Sequence, residues 1–211
     1  CPILEGYGQT EGGPVITMFP DDEIPIPGSV GKPLPLTRVQ IVDVQTGIQV
    51  LGPGEQGEIR VQGPQIMSGY RNQLDETSKT LRDGWLYTGD IGEYDNKGYI
   101  YIRDRKKDMA IVGGYNVYPR EIDEVLFSHP AVIEAATVGV PDSYRGELIH
   151  TYVVLRKGVK SSSENLILYC KKNIAKYKVP SKIIPINQIP KTNVGKIDKE
   201  ALRKKSREYD R

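Results

Sequence analysis

The stretch GYGQTEGG at residues 6–13 places an aromatic ring, a hydroxyl and a carboxylate between glycines. Thr10 and Glu11 offer the hard oxygen ligands that Mg²⁺ and its phosphates use, and Tyr7 offers a flat ring on which a base could stack. The alternative is a glycine-rich turn in which Thr10 and Glu11 cap the next element. The phosphate-loop pattern Gly-x-x-x-x-Gly-Lys-Ser/Thr occurs nowhere in the 211 residues, and this stretch also lacks the spacing Gly-x-Gly-x-x-Gly.

A second candidate is Asp90 in the stretch GWLYTGDIG, where it follows Thr88 and Gly89 at the end of a predicted strand. A carboxylate there could accept two hydrogen bonds from the hydroxyls of a ribose. The alternative is a turn aspartate that bonds its own backbone. The charged run that follows, RDRKKD at 103–108, by itself predicts a solvated hairpin.

Two further candidates lie nearer the C-terminus. Gly113 and Gly114 stand beside Tyr115, and paired glycines either let a backbone approach a ligand closely or form a bulge. Lys196 follows Gly195 in a predicted irregular loop. A lysine held over a phosphate would supply a compact positive charge at a developing anion, whereas an ordinary loop lysine is solvated.

The elements that must position these residues change in type along the chain. Residues 14–103 alternate apolar and polar side chains between Gly, Pro, Asn and Asp turns, with one short polar helix or turn at RNQLDETSKTL, which predicts a small barrel or sandwich. From 104 the order is helix, strand, strand, helix, strand, helix. The sequence therefore predicts an α+β chain, with a β-rich, barrel-like part over 1–103 and a small α/β domain over 104–211.

Composition restricts the classes of function. The net charge of +2, from 29 basic and 27 acidic residues, gives no support to nucleic-acid binding. The basic runs CKKNIAKYK and LRKKSREYDR predict solvated helix faces, with a phosphate-rich ligand as the alternative. No apolar run approaches the roughly 20 residues of a membrane span, and nothing resembles a signal peptide. Cys1 and Cys170 lack the spacing of a disulfide framework or zinc site, so we expect a reducing, cytoplasmic setting.

The order of these stretches resembles the adenylate-forming enzymes, which include acyl-CoA synthetases, peptide-synthetase adenylation domains and luciferases. The resemblance runs from Tyr7 to about Ala201. The local sequence is similar to the medium- and long-chain fatty acyl-CoA ligases, and most like the long-chain ones, in the stretches GPQIMSGY, DGWLYTGDIG, DRKKDM, NVYPREI, VGVPD, YKVP and PKTNVGKI. The resemblance implies a ligase that joins a fatty acid or another carboxylate to coenzyme A, consuming ATP and releasing AMP and pyrophosphate by way of an acyl-adenylate.

The resemblance also implies roles for the candidate residues. Tyr7 would lie against adenine, Thr10 would contact the phosphates, and Glu11 would hold Mg²⁺. Asp90 would bind the ribose hydroxyls, and Arg105 would reach the same ribose-phosphate region.

The resemblance implies that 1–103 is the C-terminal end of the family's large domain and that 104–211 is its mobile C-terminal domain. The remaining roles belong to this mobile domain, which swings between the two half-reactions. Asp104 matches the hinge of the family, and Lys196 matches the lysine that bridges the carboxylate and the α-phosphate during adenylation. Gly113, Gly114 and Tyr115 match the face that is presented to CoA in the second state.

The phosphate loop and the acyl pocket of the family lie upstream of the Tyr-Gly-x-Thr-Glu motif, and the chain starts at CPILEGYG without Met. We therefore expect the C-terminal portion of a longer enzyme, inactive by itself, whose missing N-terminal part is its first partner. Peripheral membrane association is compatible with such an enzyme. The alternatives are an adenylating domain that loads a carrier protein and a non-catalytic module that binds a nucleotide or a partner.

Overall fold

The computed structural model describes residues 3–159 and 161–209, and the chain divides between Lys107 and Asp108 into two compact units. We call them unit 1 and unit 2. The sequence-based boundary at 103/104 lies four residues before this division, and the assignment of the two parts to a large and a mobile domain stays a prediction. Cys1 lies outside the described residues.

Unit 1 contains a three-stranded sheet, a five-stranded sheet and one short helix. The small sheet has the order β1-β2-β3, and β7 is the central strand of the larger sheet, where it pairs with β5, β6 and β8 while β4 pairs with β5. The elements are β1 Gly6–Tyr7, β2 Thr17–Met18, β3 Lys32–Pro33, β4 Arg38–Val42, β5 Gly57–Gln62, α1 Leu74–Thr80, β6 Leu81–Arg82, β7 Trp85–Tyr94 and β8 Ile100–Arg105.

The alternation of apolar and polar residues in these strands builds the core of unit 1. One apolar cluster joins β4, β5, β8 and the segment before β2, and its buried members are Ile16, Ile41, Ile59, Val61 and Ile100. Apolar residues two apart on a strand share one face, so Ile59 and Val61 of β5 both enter this cluster. This core holds β7 and β8, which carry Asp90 and Arg105, in fixed register.

The sheet of unit 1 is open, so the expectation of a barrel-like part needs correction. Among the described residues no pairing joins the edge strand β4 to β8 or β6. A barrel needs a continuous ring of paired strands with a consistent tilt and stagger. The edge of the sheet opposite β4 is formed by the two-residue strand β6 and by β8. Within the described residues neither strand pairs with β4.

Unit 2 is a mixed sheet with helices. Its sheet has the order β10-β9-β12-β11, with β13 added parallel to β12. The elements are β9 Ala110–Val112, β10 Tyr115–Val117, α2 Pro119–Phe127, β11 Val132–Asp142, β12 Gly146–Leu155, α3 Ser163–Asn173, β13 Lys182–Pro185 and α4 Lys199–Tyr209. The predicted order of helices and strands is confirmed, and the β9–β10 hairpin precedes it.

Local sequence explains where the helices of unit 2 begin and which face they bury. Pro119 occupies the first turn of α2, where its missing N–H is not needed, and Ile122 and Leu126 are buried one turn apart. Ser162 caps α3 by accepting a hydrogen bond from the Asn165 N–H at 3.3 Å. These helices enclose one core with β9, β11 and β12, which includes the buried thiol Cys170.

Within residues 3–159 and 161–209, no helix has the length and apolar character needed to cross a bilayer.

Candidate functional site

The stretch 6–13 forms a tight loop that only glycine permits at its centre. A Cβ placed on Gly8 would lie 1.7 Å from the Pro14 carbonyl oxygen, so no other residue fits there without moving the backbone. The loop closes through the Ile16 N–H, which donates to the Tyr7 carbonyl at 2.8 Å. Thr10 and Glu11 lie in a 3₁₀ turn, Thr10–Gly12, that begins after Gln9 without a side-chain cap. The turn therefore presents the Thr10 and Glu11 side chains.

Asp90 lies within β7, at a bulge, and not at the end of the strand as the sequence predicted. Residues 88–90 stand opposite Ile59 alone, between the pairs Arg60–Tyr87 and Glu58–Ile91. Gly89 has a φ of +70°, the left-handed conformation that such a bulge favours in glycine. The bulge takes Asp90 out of the β5–β7 pairing but leaves it paired with β8, and the Asp90 side chain contacts Tyr7.

The Asp90 carboxylate holds two other candidate residues. The Tyr7 hydroxyl donates to Asp90 Oδ2 at 2.6 Å, and Arg105 Nε lies 2.8 Å from Asp90 Oδ1. Arg105 reaches it because Asp90 and Arg105 are direct partners in the β7–β8 register. The Asp90 side chain is only 10% exposed, so it is a paired carboxylate and not a turn aspartate bonded to its own backbone.

Burial dominates the electrostatics of this cluster. Burial raises the pKa of Asp90, while the hydrogen bond from Tyr7 and the charge of Arg105 oppose the rise. Burial raises the pKa of the Tyr7 hydroxyl as well, and the neighbouring Asp90 carboxylate raises it further. Tyr7 therefore remains protonated at neutral pH and serves as a hydrogen-bond donor to the carboxylate.

Glu11 is held from two sides by the segment that precedes α1. Its Oε1 accepts a hydrogen bond from the Tyr70 hydroxyl at 2.8 Å, and its backbone carbonyl accepts from the Met67 N–H at 3.0 Å. Burial raises the pKa of Tyr70, and the bond to Glu11 adds to the rise. The carboxylate opens onto a polar cleft of about 230 Å³. The cleft is lined by Gln9, Glu11, Glu58, Tyr70, Lys79, Thr80, Arg82, Tyr87, Thr88, Gly89 and Arg105.

Glu11 is one of two carboxylates that line this cleft, and the other, Glu58, is paired with Lys106. Mg²⁺ keeps several waters and binds proteins through one or two carboxylates together with substrate phosphates. Within the described ranges, no group of three or more His, Cys, Asp or Glu side chains could hold a metal ion. Glu11, on a polar cleft with one oxygen bonded to Tyr70, therefore fits an ion that arrives with a phosphate ligand.

The charged run 103–108 is not a solvated hairpin. Asp104 is buried, and Lys106 Nζ lies 2.7 Å from an oxygen of Glu58, whose side chain is 4% exposed. Asp108 pairs with two cations of α4. The expectation fails because Arg105, Lys106 and Asp108 each meet an opposite charge supplied by another strand or helix, which charge spacing alone cannot show.

In unit 2, Gly113 and Gly114 form the two-residue turn of the β9–β10 hairpin. Their φ angles are +57° and +85°, the pattern of a type I′ turn, and a Cβ on either glycine would meet nothing within 4 Å. The Gly113 N–H donates to the Arg145 carbonyl at 2.8 Å. The glycines are therefore needed for the backbone conformation, and the space above the turn is open.

Next to this turn is an aromatic and basic cleft of about 670 Å³. The rings of Tyr115 and Tyr177 stack with their centres 4.7 Å apart. Arg145 and Lys176 supply positive charge at the edge of the same cleft. Such a combination of flat rings and cations suits a ligand with a base and phosphates.

Lys196 lies in an exposed turn that precedes α4. The turn is closed by the Thr192 N–H, which donates to the Lys196 carbonyl at 2.7 Å, and by the Lys196 N–H, which donates to Thr192 Oγ1 at 3.2 Å. Gly195 has a φ of +80° in this turn. The backbone of Lys196 is thus fixed while its side chain extends into solvent.

The structure brings some of the predicted residues into contact and leaves others apart. Tyr7, Asp90 and Arg105 form one cluster, and Glu11 lines the same cleft as Arg105. Gly113–Tyr115 and Lys196 lie in two separate segments of unit 2.

Sequence reasoning missed the partners of these residues. Tyr70 lies 59 positions from its partner Glu11, and Glu58 lies 48 positions from its partner Lys106. Tyr177 lies 62 positions from its partner Tyr115. These separations follow from the residue numbers of the contacting pairs. No local pattern marks any of the three, although Tyr70 ends the quoted stretch GPQIMSGY.

Comparison with known proteins identifies sequence models at both ends of the chain. The model described as AMP-binding enzyme matches residues 1–71, and the model described as AMP-binding enzyme C-terminal domain matches residues 121–196.

The chain is 48% identical over 200 residues to a long-chain-fatty-acid–CoA ligase of Bacillus subtilis (strain 168). The match covers 95% of this chain and 36% of the relative, so the chain spans about a third of the length of this relative.

Two solved structures are similar to this chain over nearly its whole length. ATP-bound MatB from Rhodopseudomonas palustris superposes with a TM-score of 0.92 at 36% identity, covering 99% of this chain and 41% of MatB. The o-succinylbenzoate CoA synthetase MenE from Bacillus subtilis, in complex with its acyl-adenylate intermediate, superposes with a TM-score of 0.84 at 39% identity. That match covers 96% of this chain and 41% of MenE.

Proposed function

Because the chain belongs to the AMP-binding enzymes, the adenylate-forming family, we propose that it acts as part of an ATP-dependent acid–thiol ligase. In the first half-reaction a carboxylate attacks the α-phosphate of ATP, which gives an acyl-adenylate and releases pyrophosphate. In the second the thiol of coenzyme A attacks the acyl carbon, which gives the thioester and releases AMP. Similar proteins bear the names of CoA ligases, which supports this reaction class.

The observation that carries the proposal is the cluster of Tyr7, Asp90 and Arg105. A buried carboxylate beside an arginine suits a ribose and its phosphate, since the carboxylate accepts from hydroxyls and the guanidinium pairs with phosphate oxygens. Tyr7 would face adenine and keep the carboxylate in place through its hydroxyl. The structures named above hold ATP and an acyl-adenylate, which supports a nucleotide role for this cluster.

Thr10 and Glu11 would serve the phosphates of ATP. Thr10 is exposed on the 3₁₀ turn and can donate its hydroxyl to a phosphate oxygen. Glu11 would hold Mg²⁺, which supplies charge neutralisation to the phosphates when it is bound.

Unit 2 would supply the groups that each half-reaction needs separately. Lys196 would bridge the carboxylate and the α-phosphate, where negative charge gathers during adenylation. The hairpin turn Gly113–Gly114 and Tyr115 would face CoA, and the cleft of Tyr115 and Tyr177 suits its adenine and phosphates. Asp104 would be the hinge at which the C-terminal domain changes orientation.

For the acyl group we propose a long-chain fatty acid. The support is the 48% identity to the Bacillus subtilis long-chain-fatty-acid–CoA ligase, against 39% to the o-succinylbenzoate synthetase. We place the activity in the cytoplasm, with peripheral contact to membranes where fatty acids are released. The buried free thiol of Cys170 is compatible with a reducing compartment.

The test is a pair of assays on the longer protein that carries this chain. Pyrophosphate exchange that depends on palmitate establishes adenylation, and a thioester with CoA establishes the second step. Thioester formation on a phosphopantetheinyl carrier protein in place of CoA would instead support the carrier-loading alternative. If none of the carboxylates tested supports pyrophosphate exchange while AMP binding is unimpaired, the non-catalytic module is favoured.

A further inference from the structure

Asp108 is the first residue of unit 2 and ends the 3₁₀ turn Lys106–Asp108 that leads into β9. Its side chain is only 12% exposed. Oδ1 lies 3.0 Å from Arg203 Nη2, and Oδ2 lies 3.4 Å from Lys199 Nζ. Each carboxylate oxygen therefore faces a different cation.

The two cations are four residues apart on α4 and lie on one face of the helix. Their side chains are 19% exposed at Lys199 and 29% exposed at Arg203, so solvent screens these ion pairs less than it screens a surface pair. Without the carboxylate, two positive charges at positions i and i+4 would face each other and repel. Asp108 thus contributes to the position of the first turn of α4, together with the buried Leu202.

The turn that carries Lys196 is tied directly to this first turn. α4 begins at Lys199, three residues after Lys196, and the Asp198 carboxylate accepts from the Ala201 N–H at 2.9 Å. The Asp198 N–H donates to the Pro190 carbonyl at 2.9 Å and closes the base of the turn. A displacement of the start of α4 therefore moves Lys196.

We propose that Asp108 is a positioning residue for Lys196, acting through Lys199 and Arg203. The proposal rests on the proposed function, in which Lys196 serves adenylation. Asp108 itself touches no substrate. It lies four residues after Asp104, so the same short segment that contains the predicted hinge also anchors the turn that bears the lysine.

The packing of α4 distinguishes a role of Asp108 in positioning Lys196 from a role in docking the whole helix. Leu202 and Ser206 of α4 are buried, and the Ser206 hydroxyl lies 2.7 Å from the Tyr152 hydroxyl. These contacts hold the helix on β11 and β12 without Asp108. Replacing Asp108 should therefore loosen the beginning of α4 while the helix stays docked.

The experiment compares Asp108→Asn and Asp108→Glu with the control Glu124→Gln in the longer protein that carries this chain. Glu124 pairs with Arg120 on the exposed face of α2, so its loss removes an ion pair of unit 2 that is unconnected to α4. A positional error of about 1 Å can cost catalysis up to about 100-fold, and we expect Asp108→Asn to lower the adenylation rate about ten-fold. Thioester formation from supplied acyl-adenylate stays unchanged, and Asp108→Glu recovers part of the loss.

Epistasis with Lys196 supplies the decisive readout. In a Lys196→Ala background, Asp108→Asn should cause no further loss of adenylation, because it acts through the missing amine. A further ten-fold loss there, or an equal loss in both half-reactions, would overturn the positioning role. If Lys196→Ala itself leaves adenylation intact, the proposed function of Lys196 fails, and Asp108 has no catalytic group to position.

Amide hydrogen exchange on the 211-residue chain gives a readout that is independent of activity. In Asp108→Asn the amides of Lys196 and Asp198 should exchange faster, and the amides of β11 should keep their protection. Unchanged exchange at Lys196 and Asp198 would contradict the anchoring even if Lys196 proves essential. The two failures are thereby distinguished.

Discussion

The candidate residues of unit 1 are built into a β framework and contact one another, whereas those of unit 2 stand on exposed turns. Asp90 sits on a bulge of the central strand β7, 10% exposed and bonded to Tyr7 and Arg105. Lys196 and the glycines of the β9–β10 hairpin have fixed backbones, but the Lys196 side chain and the space above the glycines are open. The difference suits two tasks. A nucleotide that is present through both half-reactions needs a preformed site, while a group used in one step must be presented and withdrawn.

Substitution of Lys196 should have the largest effect and should separate the two half-reactions most clearly. In the proposed function Lys196→Ala removes the positive charge at the α-phosphate, so adenylation should fall on the order of 10²–10³-fold, as for the loss of one oxyanion donor. Thioester formation from supplied acyl-adenylate should be spared. Lys191→Ala, in the same turn, is the control, since Lys191 pairs with Glu134 on the surface. Equal loss in both half-reactions would refute the division of labour.

A change at Asp90 should affect both half-reactions together, because the nucleotide is bound in each. Asp90→Asn removes charge-assisted hydrogen bonds, and the affinity for AMP should fall about ten-fold or more by titration calorimetry on the longer protein. The matched control is Asp43→Asn, an exposed turn aspartate that accepts from the Thr46 N–H at 2.7 Å. Loss of only one half-reaction in Asp90→Asn would place Asp90 outside a shared nucleotide site.

Tyr7→Phe should have a smaller effect that depends on pH. The Tyr7 hydrogen bond lowers the pKa of Asp90, which burial raises, so its removal should raise that pKa further. The carboxylate is then protonated at a higher pH, and AMP binding should weaken at a higher pH as the solution is acidified. At neutral pH we expect a loss of a few-fold.

The acid limb of AMP affinity, measured as a function of pH, checks this shift. Tyr70→Phe is the control, because Tyr70 bonds Glu11 and not Asp90. An unchanged acid limb in Tyr7→Phe, or a shift to lower pH, would contradict the assigned hydrogen bond.

Alkali should destabilise unit 2 through its buried thiol, and this gives the smallest effect. Burial raises the pKa of the Cys170 thiol in the core of unit 2 from 9.0 to about 11. The unfolded chain loses this proton first, so the free energy of unfolding should fall as pH rises from 9.0 toward about 11. Denaturant unfolding of the chain and of Cys170→Ala across this range isolates the contribution. An equal pH dependence in both proteins would show that the thiol is not shielded.

Much of the fold could be predicted because local patterns specify it. The alternation in GEIRVQ, Pro119 at the start of α2 and the serine cap of α3 each predict an element that the structure contains. The same alternation predicts a small barrel or sandwich, and it does not report whether the edge strands meet, so it could not show that this sheet is open.

The candidate site was predicted less completely, for a physical reason. The sequence of Thr88, Gly89 and Asp90 predicts a strand end, with a turn aspartate as the alternative, and does not distinguish either from a bulge within a strand. The ion pairs of Glu58 with Lys106 and of Asp108 with Arg203 join residues 48 and 95 positions apart. Such contacts depend on the register of strands and the docking of helices, and neither can be predicted from the chemistry of individual residues.

The measurement that tests the central claim most directly is the rate of each half-reaction in Asp104→Pro of the longer protein. Proline fixes φ and removes backbone freedom at the predicted hinge. Asp104 also lies in β8 beside Arg105, so the affinity for AMP is measured in the same variant to show that the Asp90–Arg105 cluster is intact. If one orientation of the C-terminal domain serves adenylation and another serves thioester formation, one half-reaction should be lost while the other continues. Wild-type rates in both half-reactions would contradict the account.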